Sequence, residues 1–112
     1  MRRNTWGRKM AFVKVASVND VKPGAGKIIS IGEKKLALFN VDGKFYAIDN
    51  RCAHKAFSLG EGELDGSVVQ CPGHGLLYDV RTGKTVEGSW STDYKVNSYP
   101  TKVEGNDVLV DV

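Results

Sequence analysis

The 112-residue chain is 41% hydrophobic and 26% charged, ordinary usage for a globular protein with room for one domain. Its net charge of +3 is concentrated ahead of residue 11, where Arg2, Arg3, Arg8 and Lys9 stand without an acid, so that residues 11–112 carry 12 bases against 13 acids. That near-neutral body argues against a nucleic-acid reader, and no apolar run is long enough to span a bilayer or to follow Arg2-Arg3 as an export signal.

Residues 1–10 are therefore expected to be a disordered basic extension ahead of a domain over 11–112, in a cytoplasmic protein with no membrane span and no nucleic-acid partner. Glycines are spread between short β-branched and aromatic runs, and no helical periodicity is sustained over three turns, so the expected class is all-β. A strand is predicted over 13–16, then one helical turn over 18–21 capped by Ser17, then a strand over 27–31. Residues 35–49 read as a hairpin whose Asp42-Gly43 pair suits a two-residue turn. Residues 51–75 have another texture, with five glycines and few large apolar side chains, which predicts loops ordered by something other than a hydrophobic core; one strand is expected there, over 67–71. A hairpin follows over 77–80 and 84–86, joined at Arg81-Thr82-Gly83, and a last one pairs 94–103 with 107–112.

Every Cys and His in the chain falls in two short pairs, Cys52-Ala53-His54 and, sixteen residues on, Cys71-Pro72-Gly73-His74. Taken alone the cysteines would suit one disulfide, but two Cys-His pairs, each able to turn both side chains to one point, suit a metal better. A mononuclear zinc site accepts the same donors, although it usually groups Cys with Cys and His with His, and a zinc-bound structural module stays open on that ground. A blue copper site needs an axial sulfur, and the two methionines, Met1 and Met10, both lie at the N-terminal end. A two-iron cluster with two Cys on one iron and two His on the other fits the donor set.

With Gly75 after the second His, these residues closely resemble the Rieske-type [2Fe-2S] ferredoxins, and the likeness continues through Gly62-Glu63-Leu64-Asp65-Gly66 and Tyr78-Asp79-Val80-Arg81-Thr82-Gly83-Lys84. The resemblance implies an antiparallel β-sandwich base with an inserted cluster-binding subdomain, about residues 51–88, and one [2Fe-2S] cluster held by Cys52, His54, Cys71 and His74. It implies an inner iron on the cysteines, with partners docking near His54 and His74. Respiratory members join the two ligand loops by a disulfide at positions that here are Phe57 and Gly73. Those members place a serine hydroxyl on a bridging sulfide and a tyrosine hydroxyl on a cysteine sulfur; here these are Leu76 and Tyr78, which with Gly75 are the candidate neighbours of the cluster. Ala56 stands where many members have Gly, and 88–92 lacks their loop proline, so Trp90 either shields the cluster or fills core.

Physically, two ferric ions, two sulfides and two thiolates sum to a neutral unit that takes up an electron more easily than a four-thiolate one, which lifts potentials from about −400 mV toward roughly −150 to +300 mV. The expected function is a soluble one-electron carrier between a reductase and an oxygenase or other oxidoreductase, not an enzyme in itself. No further Cys or His exists to build a mononuclear catalytic iron site. The alternative is a small Rieske subunit fixed in a larger reductase, such as one acting on nitrite.

Overall fold

A computed structural model describes residues 11–53, 57–73 and 75–112. Its strands are β1 (Phe12–Ser17), β2 (Gly26–Ile31), β3 (Lys34–Val41), β4 (Lys44–Asp49), β5 (Glu63–Asp65), β6 (Val68–Gln70), β7 (Leu77–Asp79), β8 (Ser98–Tyr99), β9 (Thr101–Glu104) and β10 (Asp107–Asp111). They pair antiparallel into three sheets, ordered β1-β10-β9, β2-β3-β4-β8 and β5-β6-β7. No described helix is long and apolar enough to cross a membrane.

The layers follow from the pleat of β3, which is buried at five consecutive positions, 36–40. Successive side chains on a strand point to opposite faces, so such a run needs cover on both. Leu36 and Leu38, with Phe45 and Ala47 of β4, pack against Val108 and Val110 of β10 in one core. Ala37 and Phe39, with Ile48 of β4, pack on the other side against Leu59, Val69, Leu76, Tyr78 and Val80. The four-stranded sheet is thus the middle layer, with the β1-β10-β9 sheet on one face and the small β5-β6-β7 sheet on the other. Each large side chain wholly covered in this way contributes about 1.5–3 kcal/mol.

The Asp42-Gly43 turn forms as expected, both residues left-handed at φ 52° and 92° as a type I′ turn requires. Asn40 locks it: its Oδ1 accepts the Gly43 N–H at 2.7 Å and its Nδ2 donates to the Val21 carbonyl at 2.7 Å. The predicted turn after Ser17 is a 3₁₀ helix, Val18–Asp20, with the Asp20 carboxylate accepting the Ser17 N–H at 2.9 Å.

Three expectations change. Residues 94–103 are not one arm of a hairpin: β8 pairs with β4, and only after Pro100 does β9 turn onto β10. Asp49 draws the chain to β4 by accepting the Tyr99 hydroxyl at 2.6 Å and the Asn97 N–H at 3.0 Å, and proline, with no N–H to give a ladder, marks the crossing. The partner arm of β7 shrinks to isolated bridges, Tyr78 to Thr85 and Lys84 to Lys95, because residues 84–86 are shared between β7 and the 94–95 segment. The 51–75 segment is more than loops, since β5 and β6 form a hairpin about Gly66, and Leu59 and Val69 are wholly buried. Two well-placed apolar side chains, set against Phe39 and Ile48, supply anchorage that composition understated. The expected disordered extension over 1–10 lies outside the described residues.

The β7 turn rests on Asp79, whose carboxylate accepts the Arg81 N–H, Nε and Nη2 at 2.9, 3.1 and 2.9 Å. Hydrogen bonding to Arg81 holds this carboxyl below its ordinary value against the opposing effect of burial. A depressed folded value stabilises the fold above the unfolded carboxylate range and is lost as pH falls through the folded value. Asp79→Asn should lower the melting temperature by about 2–4 °C at pH 7, with the difference closing below the carboxylate range, as scanning calorimetry across pH would show.

Candidate metal centre

Two loops carry the cysteines, and both are closed by the same bond. The Cys52 N–H donates to the Phe57 carbonyl at 3.0 Å, and the Cys71 N–H donates to the Leu76 carbonyl at 2.8 Å, in each case five residues on. Beneath the first loop, Arg51 bridges Ser58; beneath the second, Gln70 pairs with Leu77. Each Cys-His pair of the sequence therefore belongs to one such closed loop. His54 and His74 themselves lie outside the described residues, as do Lys55 and Ala56.

Asn50 anchors the first loop to the middle sheet. It is buried, donates its N–H to the Lys35 carbonyl at 3.1 Å, and takes the Leu59 N–H on its carbonyl and the Gly60 N–H on Oδ1 at 2.7 and 2.8 Å. In the second loop Gly75 has φ +77°, a conformation that favours glycine, and donates its N–H to the Cys71 carbonyl at 3.0 Å. Leu76 is wholly buried, so the position contributes its carbonyl to the closure and packing to the core, and no side-chain donor.

Both cysteines are buried thiols, 2% and 1% exposed, in one apolar cluster with Tyr78. The phenol sits 3.4 Å from Cys52 Sγ and accepts the Ala53 N–H at 3.2 Å. Either the hydroxyl or the thiol can donate across this contact, and once the sulfur is a thiolate only the hydroxyl can. Burial first, and then the bond to Cys52, push the Tyr78 hydroxyl well above its ordinary value, so it stays a donor across the physiological range. A buried sulfur given a hydroxyl donor is suited to bearing thiolate charge. Among the described residues no three Cys, His, Asp or Glu side chains converge as a metal group, so the described part of the site is this cysteine pair with Tyr78.

The surroundings are uneven in charge. A groove beside Cys52 and Ala53 is lined by Lys34, Lys35, Arg51 and Lys95, together with Asp49, whereas Glu61 and Glu63 flank Cys71 and Pro72. Trp90 is 57% exposed and stands edge-on to Tyr94 at 6.3 Å, which overturns a core-filling role for it. Its loop is tied to β7 through Ser89, whose Oγ accepts the Leu77 N–H at 3.1 Å. The anchoring roles of Asn50 and Ser89 had no sequence signal, since a lone polar residue beside a strand reads as surface.

Residues 11–100 match the sequence pattern of the Rieske [2Fe-2S] domain. The chain is 46% identical over 103 residues to the biphenyl dioxygenase ferredoxin subunit of Pseudomonas sp. (strain KKS102), covering 91% of this chain and 93% of that protein. In structure it is similar to a chain of the complex of reduced oxygenase and oxidized ferredoxin in carbazole 1,9a-dioxygenase, with TM-score 0.83, 32% identity, and 92% and 94% of the two chains covered. It is also similar to the Sphingomonas yanoikuyae B1 ferredoxin, with TM-score 0.82, 29% identity, and 91% and 99% covered.

Tyr78→Phe keeps the ring in its cluster but leaves the Ala53 N–H without its acceptor. Amide exchange at Ala53 should speed up by about ten-fold or more while the melting temperature falls by only about 4–8 °C, the cost of the bond to Ala53 with the weaker contact to sulfur adding little. Hydrogen exchange read by NMR checks the first outcome and calorimetry the second.

Proposed function

The chain belongs to the Rieske [2Fe-2S] domain family, and from that premise we propose that Cys52, His54, Cys71 and His74 hold one [2Fe-2S] cluster per chain. The observation that carries this is the pair of buried cysteines at equivalent positions of two loops closed by the same bond, each loop containing one histidine of the sequence. The protein is an electron-transfer component and not itself a catalyst, in keeping with relatives that are ferredoxin components of dioxygenase systems.

When bound, such a cluster supplies a reversible one-electron step. The chain's own part is to hold that chemistry in place. The two loop closures present the thiols, Tyr78 donates to the Cys52 sulfur, and Leu59, Leu76 and Val69 keep water from the inner side. Leu76 offers no hydroxyl, which leaves the charge of an added electron less stabilised than a serine there would. The cluster domain is residues 11–112, with its binding part about 51–88, and the protein works in the cytoplasm.

The partners are a reductase that donates the electron and an oxygenase that accepts it, docking near His54 and His74. Relatives named as dioxygenase ferredoxins, and a structure titled as a complex of oxygenase and ferredoxin, support this assignment. The four cations in the groove beside Cys52 favour an acidic partner surface at that edge of the dock, an attraction that salt weakens.

Purified protein should show the visible absorption and low-temperature EPR signal of a Rieske centre, with iron and sulfide in equal amounts; a colourless protein holding zinc would replace this reading with the structural-module one. Cys52→Ser and Cys71→Ser should each lose the iron and colour, because no third cysteine exists to replace the ligand. The midpoint potential should lie nearer about −150 mV than +300 mV by film voltammetry, with Tyr78→Phe lower still.

A further inference from the structure

Gly73 is a glycine for room. The described glycines with left-handed φ are 24, 32, 43, 66, 75, 83, 88 and 105, and Gly73 is not among them, so its backbone conformation is open to any residue. Its space is not. An ideal Cβ built there would lie 2.0, 2.2 and 2.5 Å from Cδ2, Cε2 and Cγ of Phe57, separations no real Cβ tolerates. The Phe57 ring therefore lies directly on the backbone of the second cysteine loop, while the Phe57 carbonyl closes the first by accepting the Cys52 N–H. At 41% exposed, Phe57 is no member of the buried core, so packing against the sheets does not account for its placement.

We propose that Phe57 is a positioning residue that clasps the two cysteine loops together, the ring on Gly73 setting their separation. A rigid two-torsion side chain costs little entropy to hold across a gap, and a backbone stripped of Cβ is the surface on which it comes closest. Resting on the metal-centre reading above, the clasp holds the two ligand loops against separation and so slows metal loss. As geometry of the loops, it stands whichever metal they take.

A double-mutant cycle tests it, on protein as purified, with Phe57→Ala, Gly73→Ala, the two combined, and Phe57→Tyr as the conservative variant. Four readouts are taken: metal release to an iron chelator or, should the metal be zinc, to a zinc chelator; amide exchange at Cys52 and Cys71; the EPR line shape; and thermal unfolding. Each single alanine variant should release metal about ten times faster and exchange both cysteine amides faster, with a changed EPR line shape, and Phe57→Tyr should match the parent. The pair combined should be no worse than Phe57→Ala, because with the ring gone a Cβ at 73 meets nothing of it. If Gly73→Ala alone does not fold, refolding in the combined variant supports the clasp and continued failure overturns it. Additive effects, or unchanged amide exchange in both single variants, would also overturn it. A sample without iron and sulfide refutes the cluster reading alone, since amide exchange still reports on the clasp.

Discussion

From residue 36 to residue 40 strand β3 has no solvent face, and the remainder of the molecule is arranged to cover it. Leu36 and Leu38 need one sheet above them, Ala37 and Phe39 another below, and register with β4 carries the same division through Ala47 and Ile48. Because a strand's side chains alternate strictly, no single packed layer can bury such a run. The small β5-β6-β7 sheet is thus fastened to the base by the alternate residues of β3 and β4, and the Cys71 loop leaves from it after Gln70.

The same division places the chemistry. Cys52 and Cys71 belong to the core shared by the middle and small sheets, alongside Phe39, Leu59 and Tyr78, and not to the core under β10. One loop leaves from the middle sheet through Asn50, the other from the small sheet through Gln70, so the two sulfurs arrive from two layers. An electron carrier gains from such a frame, since a site that moves little between oxidation states needs little reorganisation, and both sulfurs sit in a packed core.

Charge and exposure complete the functional picture. The body of the chain is nearly neutral, yet the cations Lys34, Lys35, Arg51 and Lys95 gather at the Cys52 edge and the acids Glu61 and Glu63 at the Cys71 edge. Charges divided in this way give the surface around the two cysteines a direction that a neutral sum alone would not show.

The motif Cys-x-His and Cys-x-x-His was enough to suggest the Rieske family that residues 11–100 match, because residue types at short spacing are a local property and both histidines and both cysteines fall in it. The hairpin at Asp42-Gly43 was likewise legible, since a type I′ turn asks for two left-handed residues and says so in two letters. Tertiary structure decided what depends on distant partners. Whether Tyr78 met a cysteine rested on packing between layers, and the break at Pro100 rested on Asp49, about fifty residues away, reaching Tyr99 and Asn97. Residues 51–75 looked poor in apolar anchors because burial depends on where a side chain lands and not on how many there are: Leu59 and Val69 share one core with Phe39 and Ile48. Gly73, one glycine among 13, showed its reason only when the Phe57 ring was found lying on it.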